Sequence, residues 1–226
     1  MNFSGGSFSS NEKTITFVLI DLKKNSKMDS FAHRAADWDQ PSKIKMTTVF
    51  IDELKKNLVL EPDWKALELG AGTGLAGLQL LPEIGSLVAE DTSAAMLEVL
   101  KGKLKGDEKV SIVNGEIFEY RQCDIDLLFS VMAFHHLPDL EKALQHIATI
   151  VKPGGYVVIG DLMPEDGSFH HFEPIPHKGF EPEEIKKQFE QLGFSIEKLY
   201  VYDTLQRERI PGTISDYDQF MLVARK

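Results

Sequence analysis

The sequence predicts an α/β fold in which seven strands form a mostly parallel, doubly wound sheet closed by an antiparallel C-terminal hairpin. Three observations predict it. Short apolar runs alternate with helix-like segments over most of the chain, which implies parallel strands joined by crossover helices. One run, Ala66-Leu67-Glu68-Leu69, ends in Gly70-Ala71-Gly72-Thr73-Gly74 and passes straight into a helical segment. A buried strand that stops at a glycine-rich turn before a helix lets a nucleotide-like ligand approach bare backbone amides. The last two strand-like runs follow each other with no helix between them, so they pair as a hairpin.

Met1 to Lys27 reads as an N-terminal extension, rich in Ser and Gly at its start, with a candidate edge strand at Thr14 to Leu22. Met28 to Lys226 reads as one domain. Pro41 opens a helix that runs to about Asn57, since proline is tolerated at a first helical position. Pro62-Asp63 turns the chain into the first strand, Lys65 to Leu69; Leu75 to Leu81 is helical and stops near Pro82. Ser86 to Glu90 is the second strand. Asp91-Thr92-Ser93 caps a helix from Ala94 to Leu104, ended by Gly106. Val110 to Val113 is a strand, and so is Asp126 to Val131, apolar on both faces as parallel strands usually are. Pro138-Asp139 starts a helix to Val151, Lys152-Pro153-Gly154-Gly155 is a turn, and Tyr156 to Asp161 is the fifth strand. Met163 to Phe180 is a long loop with three His and three Pro. Glu181 to Gly193 is the last helix, and Phe194 to Tyr202 and Phe220 to Arg225 are the closing strands.

The chain has 226 residues, enough for one α/β domain with a full core, and its 42 % hydrophobic content is that of an ordinary globular protein. A net charge of -10 argues against broad contact with nucleic-acid phosphates, which calls for a basic surface. A single cysteine, Cys123, excludes an internal disulfide and argues against a cysteine-based zinc site. No run approaches the ~20 apolar residues of a membrane helix. The first residues lack the basic start and small-residue cleavage site of a secretory signal. No nucleic-acid partner, no membrane insertion and a cytoplasmic location are the expectations; the oligomeric state is not legible.

Two kinds of ligand suit the glycine turn. Gly72-Thr73-Gly74-Leu75-Ala76-Gly77 satisfies the dinucleotide pattern, with Glu90 and Asp91 at about the expected ~20-residue distance. The longer string Glu68-x-Gly70-x-Gly72-x-Gly74 resembles motif I of the class I S-adenosylmethionine (SAM) methyltransferases. Four further stretches are similar to that family: Asp91-Thr92-Ser93-Ala94-Ala95-Met96-Leu97 after the second strand, Gly115-Glu116-Ile117 after the third, Asp126 through Leu137 ending in Ala133-Phe134-His135-His136-Leu137, and Val151-Lys152-Pro153-Gly154-Gly155. The resemblance covers nearly everything from Phe31 onward. A nicotinamide oxidoreductase has no reason to carry the last two stretches. Within the superfamily the pattern is most similar to the small-molecule branch that includes ubiquinone and menaquinone methyltransferases.

The resemblance implies a Rossmann-like fold, SAM as cofactor with S-adenosylhomocysteine as product, and methyl transfer to an O, N or C nucleophile of a small molecule. Gly70, Ala71 and Gly72 then offer backbone to the methionine end, and Glu68 holds the tail ammonium or orders the turn. Asp91 accepts the ribose hydroxyls, with Glu90 as its rival. Glu116 accepts from the adenine amino group, although the family usually has Asp there, and Thr92 and Ile117 flank the ring. Ser130 and Val131 sit at the carboxyl end of their strand, on the ligand side of such a sheet. A histidine is suited to accept a proton near neutral pH, and His136 and His177 are the candidates.

Only Phe31 to Trp38 and Met163 to Phe180 are placed to close over an acceptor, so Phe31, Trp38 and His170 are candidate acceptor contacts, together with His135, which follows the fourth strand near the methyl group in the fold that the resemblance implies. Both stretches are poor in basic residues, which predicts a small, largely apolar or aromatic acceptor. His170, His171 and His177 could suggest a metal, but their spacing is not diagnostic and no metal is assigned. Three other readings stay open: a SAM-binding regulatory or scaffold subunit without catalysis, a protein-directed methyltransferase, and a nicotinamide oxidoreductase.

Overall fold

The computed structural model describes residues 32–106 and 109–226. Phe31, the candidate strand at Thr14 to Leu22 and the rest of the expected N-terminal extension lie outside the described residues. A 3-10 turn, Ala32–Asp37, leads to α1, Pro41–Asn57. Then follow β1 (Lys65–Leu69), α2 (Gly77–Leu80), β2 (Ser86–Asp91), α3 (Ala94–Lys103), β3 (Val110–Asn114) and β4 (Ile125–Val131). The chain closes with α4 (Leu140–Ile150), β5 (Val151–Leu162), α5 (Pro182–Gln191), β6 (Ser195–Ile210) and β7 (Thr213–Arg225).

The strands form a single seven-stranded sheet in the order β3-β2-β1-β4-β5-β7-β6. β1 to β5 are all parallel to one another, and β7 runs antiparallel to both β5 and β6. This is the doubly wound sheet with a closing hairpin that the sequence predicts. Alternation along each strand divides the core into two layers, because successive side chains point to opposite faces. Leu67, Leu69, Val88, Leu128, Val157 and Ile159 pack with Ile147 of α4 and Phe189 of α5. Ala66, Leu87, Leu127, Phe129 and Val158 pack on the other face with Phe50, Ile51 and Leu54 of α1 and Leu80 of α2.

Local chemistry sets the helix ends. Ser93 accepts from the Met96 amide at 3.2 Å, and Asp139 from the Lys142 amide at 3.1 Å, each supplying one of the acceptors that a first helical turn lacks. In α4 the residues Ala143, Leu144, Ile147 and Ile150 form one buried stripe at helical spacing.

The structure departs from the expected elements in three places. α2 has only four residues and passes into a 3-10 turn, Leu81–Glu83, because Pro82 cannot donate to the ladder. β5 begins at Val151, so the expected turn at Lys152 to Gly155 lies within its span as an irregularity between the Ile125 and Leu127 pairings. The largest difference is the closing hairpin. β6 and β7 continue through residues that read as a loop, and pair up to Ile210↔Thr213 around Pro211-Gly212. Pro followed by Gly at φ +76 is the chemistry of a type II turn. β7 meets β5 only from Gln219 onward. Residues 204–218 therefore project past the carboxyl end of β5 as a two-stranded arm.

Glycine at 179 has a steric cause. It sits at φ +76, and a Cβ there would lie 2.1 Å from the Met163 carbonyl oxygen. Gly154 also has a positive φ, +82, but faces open space. Gly179→Ala should cost on the order of 2–3 kcal/mol and Gly154→Ala about 1 kcal/mol, the difference being the overlap. Urea unfolding midpoints of the two variants check this order.

Candidate active site

The carboxyl ends of β1, β2 and β4 meet at the glycine turn. Gly70 (φ +72) and Gly72 (φ +53) both occupy the left-handed region. At Gly70 the reason is also proximity, since a Cβ would lie 2.3 Å from the Ala133 side chain after β4. At Gly72 the nearest atom to such a Cβ is Trp38 Nε1, at 3.8 Å. The indole thus stands over the turn, and Lys43 Nζ lies 3.3 Å from the centre of its ring. The sequence expected Trp38 beside an acceptor; the structure places its indole over the glycine turn.

Asp91, half-buried at the end of β2, accepts the Gly72 amide on Oδ2 and the Ser93 amide on Oδ1, both at 2.7 Å. A carboxylate has about four lone-pair sites, and two amides from different elements orient this one. Its rival Glu90 is buried and points back under the turn, with Oε2 3.4 Å from the Gly70 amide. Burial pushes the Glu90 carboxyl well up, and the Asp91 charge adds to that. The two neighbours therefore separate into an exposed-side carboxylate and a buried acid.

Glu68 is 2 % exposed and accepts the Gly77 amide at 3.0 Å. That bond ties the end of β1 to the start of α2. Burial raises its carboxyl to about 8, against the opposing pull of the Gly77 amide. Ser130 is fully buried and donates to the Leu69 carbonyl at 2.9 Å, tying β4 to the end of β1. Val131 is half-buried beside it and Ala71 is buried within the turn. Thr92 and Glu116 are exposed at the rim, and Ile117 is packed into the main core.

The sequence did not single out Asp39. Its Oδ1 accepts from the Thr73 hydroxyl at 2.5 Å and its Oδ2 pairs with Lys103 Nζ at 2.6 Å, while Lys103 also donates to the Thr73 carbonyl at 2.6 Å. This knot clamps the segment before α1 onto the glycine turn. Its only sequence signal is an acid directly after Trp38.

The histidines gather on the other side of Ala133. His135 is 1 % exposed, and its Nδ1 donates to the buried Asp161 carboxylate at the end of β5 at 2.6 Å. His136 and His170 are half-buried, and the three ring centroids lie 4.2, 4.9 and 5.4 Å apart. Burial, then the neighbouring imidazoles, depress His136 to about 3; burial, His135 and Arg209 depress His170 to about 4. His177 stands apart. Its Nε2 donates to the Leu137 carbonyl at 2.9 Å and its ring packs on Phe180, so it braces the loop after β5.

The arm of the hairpin reaches the same place. Tyr217 OH and Ser168 Oγ are 2.6 Å apart, and Leu205 and Tyr217 pack with Phe169 and Leu162. Arg209 lies 4.9 Å over the Phe169 ring and 3.3 Å from His171 Nε2. Lys43 is lowered to about 8 by burial first, and then by Arg34, Arg209 and Arg207, so cations from three elements converge here.

A glycine cradle, a carboxylate held at the end of the second strand and a parallel sheet with a closing hairpin define the class: a Rossmann-like nucleotide-cofactor enzyme. A family model described as a methyltransferase domain matches residues 67–159. An uncharacterized methyltransferase of Bacillus cytotoxicus is 30 % identical over 144 residues, 62 % of this chain and 67 % of that protein. One of Oceanobacillus iheyensis is 35 % identical over 116 residues, 50 % of this chain and 53 % of that protein, so the match spans about half of that relative's length. Among solved structures, the methyltransferase in complex with the Haloferax volcanii Trm112 methyltransferase activator superposes with a TM-score of 0.74 at 19 % identity, covering 88 % of this chain and 98 % of that one. A SAM-dependent methyltransferase from Aquifex aeolicus gives 0.64 at 19 % identity, covering 86 % and 97 %. The chain belongs to the class I SAM-dependent methyltransferases, and SAM is its cofactor. Among the described residues no helix is long and apolar enough to cross a membrane.

The buried Glu68 links stability to pH. An unfolded glutamate ionises near 4.5, whereas the folded one holds its proton to about 8. The folded-state value is raised, so its contribution is fully present below pH about 4.5 and is lost as pH rises through about 8. Glu68→Gln should flatten that fall by on the order of 2–4 kcal/mol. Urea midpoints at pH ~5 and ~8.5 measure it, and parallel slopes in the two proteins would show that Glu68 is not the group responsible.

Proposed function

We propose that this chain transfers a methyl group from SAM to a small-molecule acceptor held between the imidazoles after β4 and the arm of the β6–β7 hairpin. The observation that carries the reading is adjacency: Ala133, which meets Gly70 of the glycine turn, precedes His135 by two residues. Cofactor and acceptor ends therefore share one short stretch of backbone.

The donor set fits the cofactor. Asp91 is the proposed partner of the ribose hydroxyls and Glu116 of the adenine amino group, with Thr92 and Ile117 beside the ring. Gly70, Ala71 and Gly72 offer close backbone to the methionine end, and Trp38 covers it. Glu68, Ser130 and Val131 hold this surface in shape from beneath. SAM supplies an activated methyl group on a sulfonium. The protein's task is alignment and exclusion of water. An imidazole depressed to about 3 is neutral and a weak proton acceptor at physiological pH. His136 and His170 are therefore proposed to position the acceptor, and His177 to brace the loop over it.

The acceptor is proposed to carry an anionic group. Lys43, Arg207 and Arg209 gather at this end of a chain whose net charge is -10. Among the described residues no carboxylate forms an ion pair with any of the three. The expectation of an apolar acceptor gives way because these cations lie on α1 and on the hairpin arm, outside the two stretches on which it rested.

A screen of small carboxylates and phosphates, read by S-adenosylhomocysteine release, is the test. Lys43→Met should raise the acceptor KM at least several-fold, and by more than it weakens SAM, since Lys43 also stacks on Trp38. Methylation of protein or polynucleotide with none of small molecules would reject the reading.

Asp91→Ala should weaken SAM binding by roughly 1–3 kcal/mol through loss of charge-assisted contacts. It should also lower the thermal midpoint without SAM, because the Gly72 and Ser93 amides lose their acceptor. Trp38→Ala should loosen SAM as well. Calorimetry that finds SAM affinity unchanged in both variants would displace the cofactor from this turn.

A further inference from the structure

We propose that His135, His136 and His170 form a binding site for a divalent transition-metal ion of the zinc type, on the acceptor side of the pocket. One ring nitrogen from each lies within 4.8 Å of the other two. The rings come from two separate segments, the turn after β4 and the loop after β5, and the fold brings them together. His170 Nδ1 is buried with no hydrogen-bond partner. An unsatisfied buried nitrogen is costly, and a metal ion would use its lone pair.

The best-defined ligand is His135. Asp161, fully buried, accepts from its Nδ1 at 2.6 Å and is itself held by the Leu162 amide at 2.7 Å. The proton is thereby placed on Nδ1, and Nε2 keeps its lone pair. A carboxylate behind a histidine is the usual support of a zinc ligand. With metal–nitrogen distances of about 2.0–2.1 Å, the donors of a tetrahedral site are roughly 3.4 Å apart. With His135 held in place, binding would require His136 and His170 to turn toward it by the remaining gap.

The ligand set also chooses the ion. Three imidazoles with no carboxylate among them favour zinc, copper, nickel or iron over magnesium or calcium. Three protein ligands leave a position open, as in catalytic zinc sites and not in structural ones. Arg209 lies 4.9 Å over the Phe169 ring, which packs 4.9 Å from His170. An arginine thus stands near the cluster, and the open position favours an anionic oxygen. That is the acceptor class proposed above, but metal uptake can be tested with no acceptor in hand.

The test uses the full-length chain without an affinity tag, stripped with a chelator and titrated with Zn²⁺ by calorimetry and with Co²⁺ by visible absorption. One ion per chain should bind, and Co²⁺ should develop the intense bands of a tetrahedral nitrogen site. His170→Gln and His136→Gln should each weaken binding by roughly 10–100-fold or more, whereas exposed His171→Gln should not. Circular dichroism on each variant reports that it is folded. Absence of stoichiometric uptake by the wild type overturns the proposal, as does unchanged affinity in both folded cluster variants. SAM binding measured on the same samples separates the two readings: no metal with SAM bound overturns this site alone, and metal with no SAM overturns the methyl-transfer reading alone.

Discussion

The carboxylate of Asp91 accepts amides from two elements at once, Gly72 in the turn after β1 and Ser93 at the cap of α3, each at 2.7 Å. Parallel pairing of Leu69 with Glu90 brings the next residue of β2 level with the start of the turn. The positive φ at Gly72 lets the chain there bring its amide to the acid. From that contact the remaining geometry follows. The turn is held open toward the ligand side, α3 starts where the acid ends, and Glu68 secures the turn from below through Gly77. Gly70 then allows Ala133 to approach to contact, so β4 delivers its histidines next to the same turn.

Around this centre the chain builds a wall from pieces far apart in sequence. The segment before α1 is knotted to the turn through Asp39, Thr73 and Lys103. The loop after β5 is pinned by His177 on Leu137 and by Ser168 on Tyr217. The hairpin arm adds Arg209 over Phe169. Backbone strain collects at the same edge: Met132, His171 and Phe172 all have φ between 54 and 59. Left-handed non-glycine residues cost about 1–3 kcal/mol each and persist only where surroundings over-determine them. Buried imidazoles, like-charged cations and strained backbone in one place form an energetically costly surface, of the kind that functional sites keep.

The two neighbouring acids of β2 show where pattern ends and environment begins. In the sequence Glu90 and Asp91 are two carboxylates in a row, and the family resemblance alone favoured the second. In the structure alternation sends them to different surroundings, one buried beneath Gly70 and one aimed at the amides of the turn. The histidines teach the same lesson. His135, His136, His170 and His177 look equivalent as residue types. Only packing separates a ring locked by Asp161, two half-buried rings and one committed to a backbone carbonyl.

The sequence by itself determined the sheet, its parallel strands, its closing hairpin and the glycine turn after β1. Those depend on local signals: apolar runs of strand length, glycines where φ must be positive, caps such as Ser93 and Asp139, and an uninterrupted pair of strands at the end. Tertiary structure alone decided what stands beside that turn. The arm at residues 204–218 read as a loop because its few apolar residues are scattered among polar and charged ones, and it becomes strand only by pairing with itself beyond β5. The meeting of Lys43, Arg209, His136 and His170 has no signature along the chain, because these residues are brought together by packing between elements and not by spacing within one.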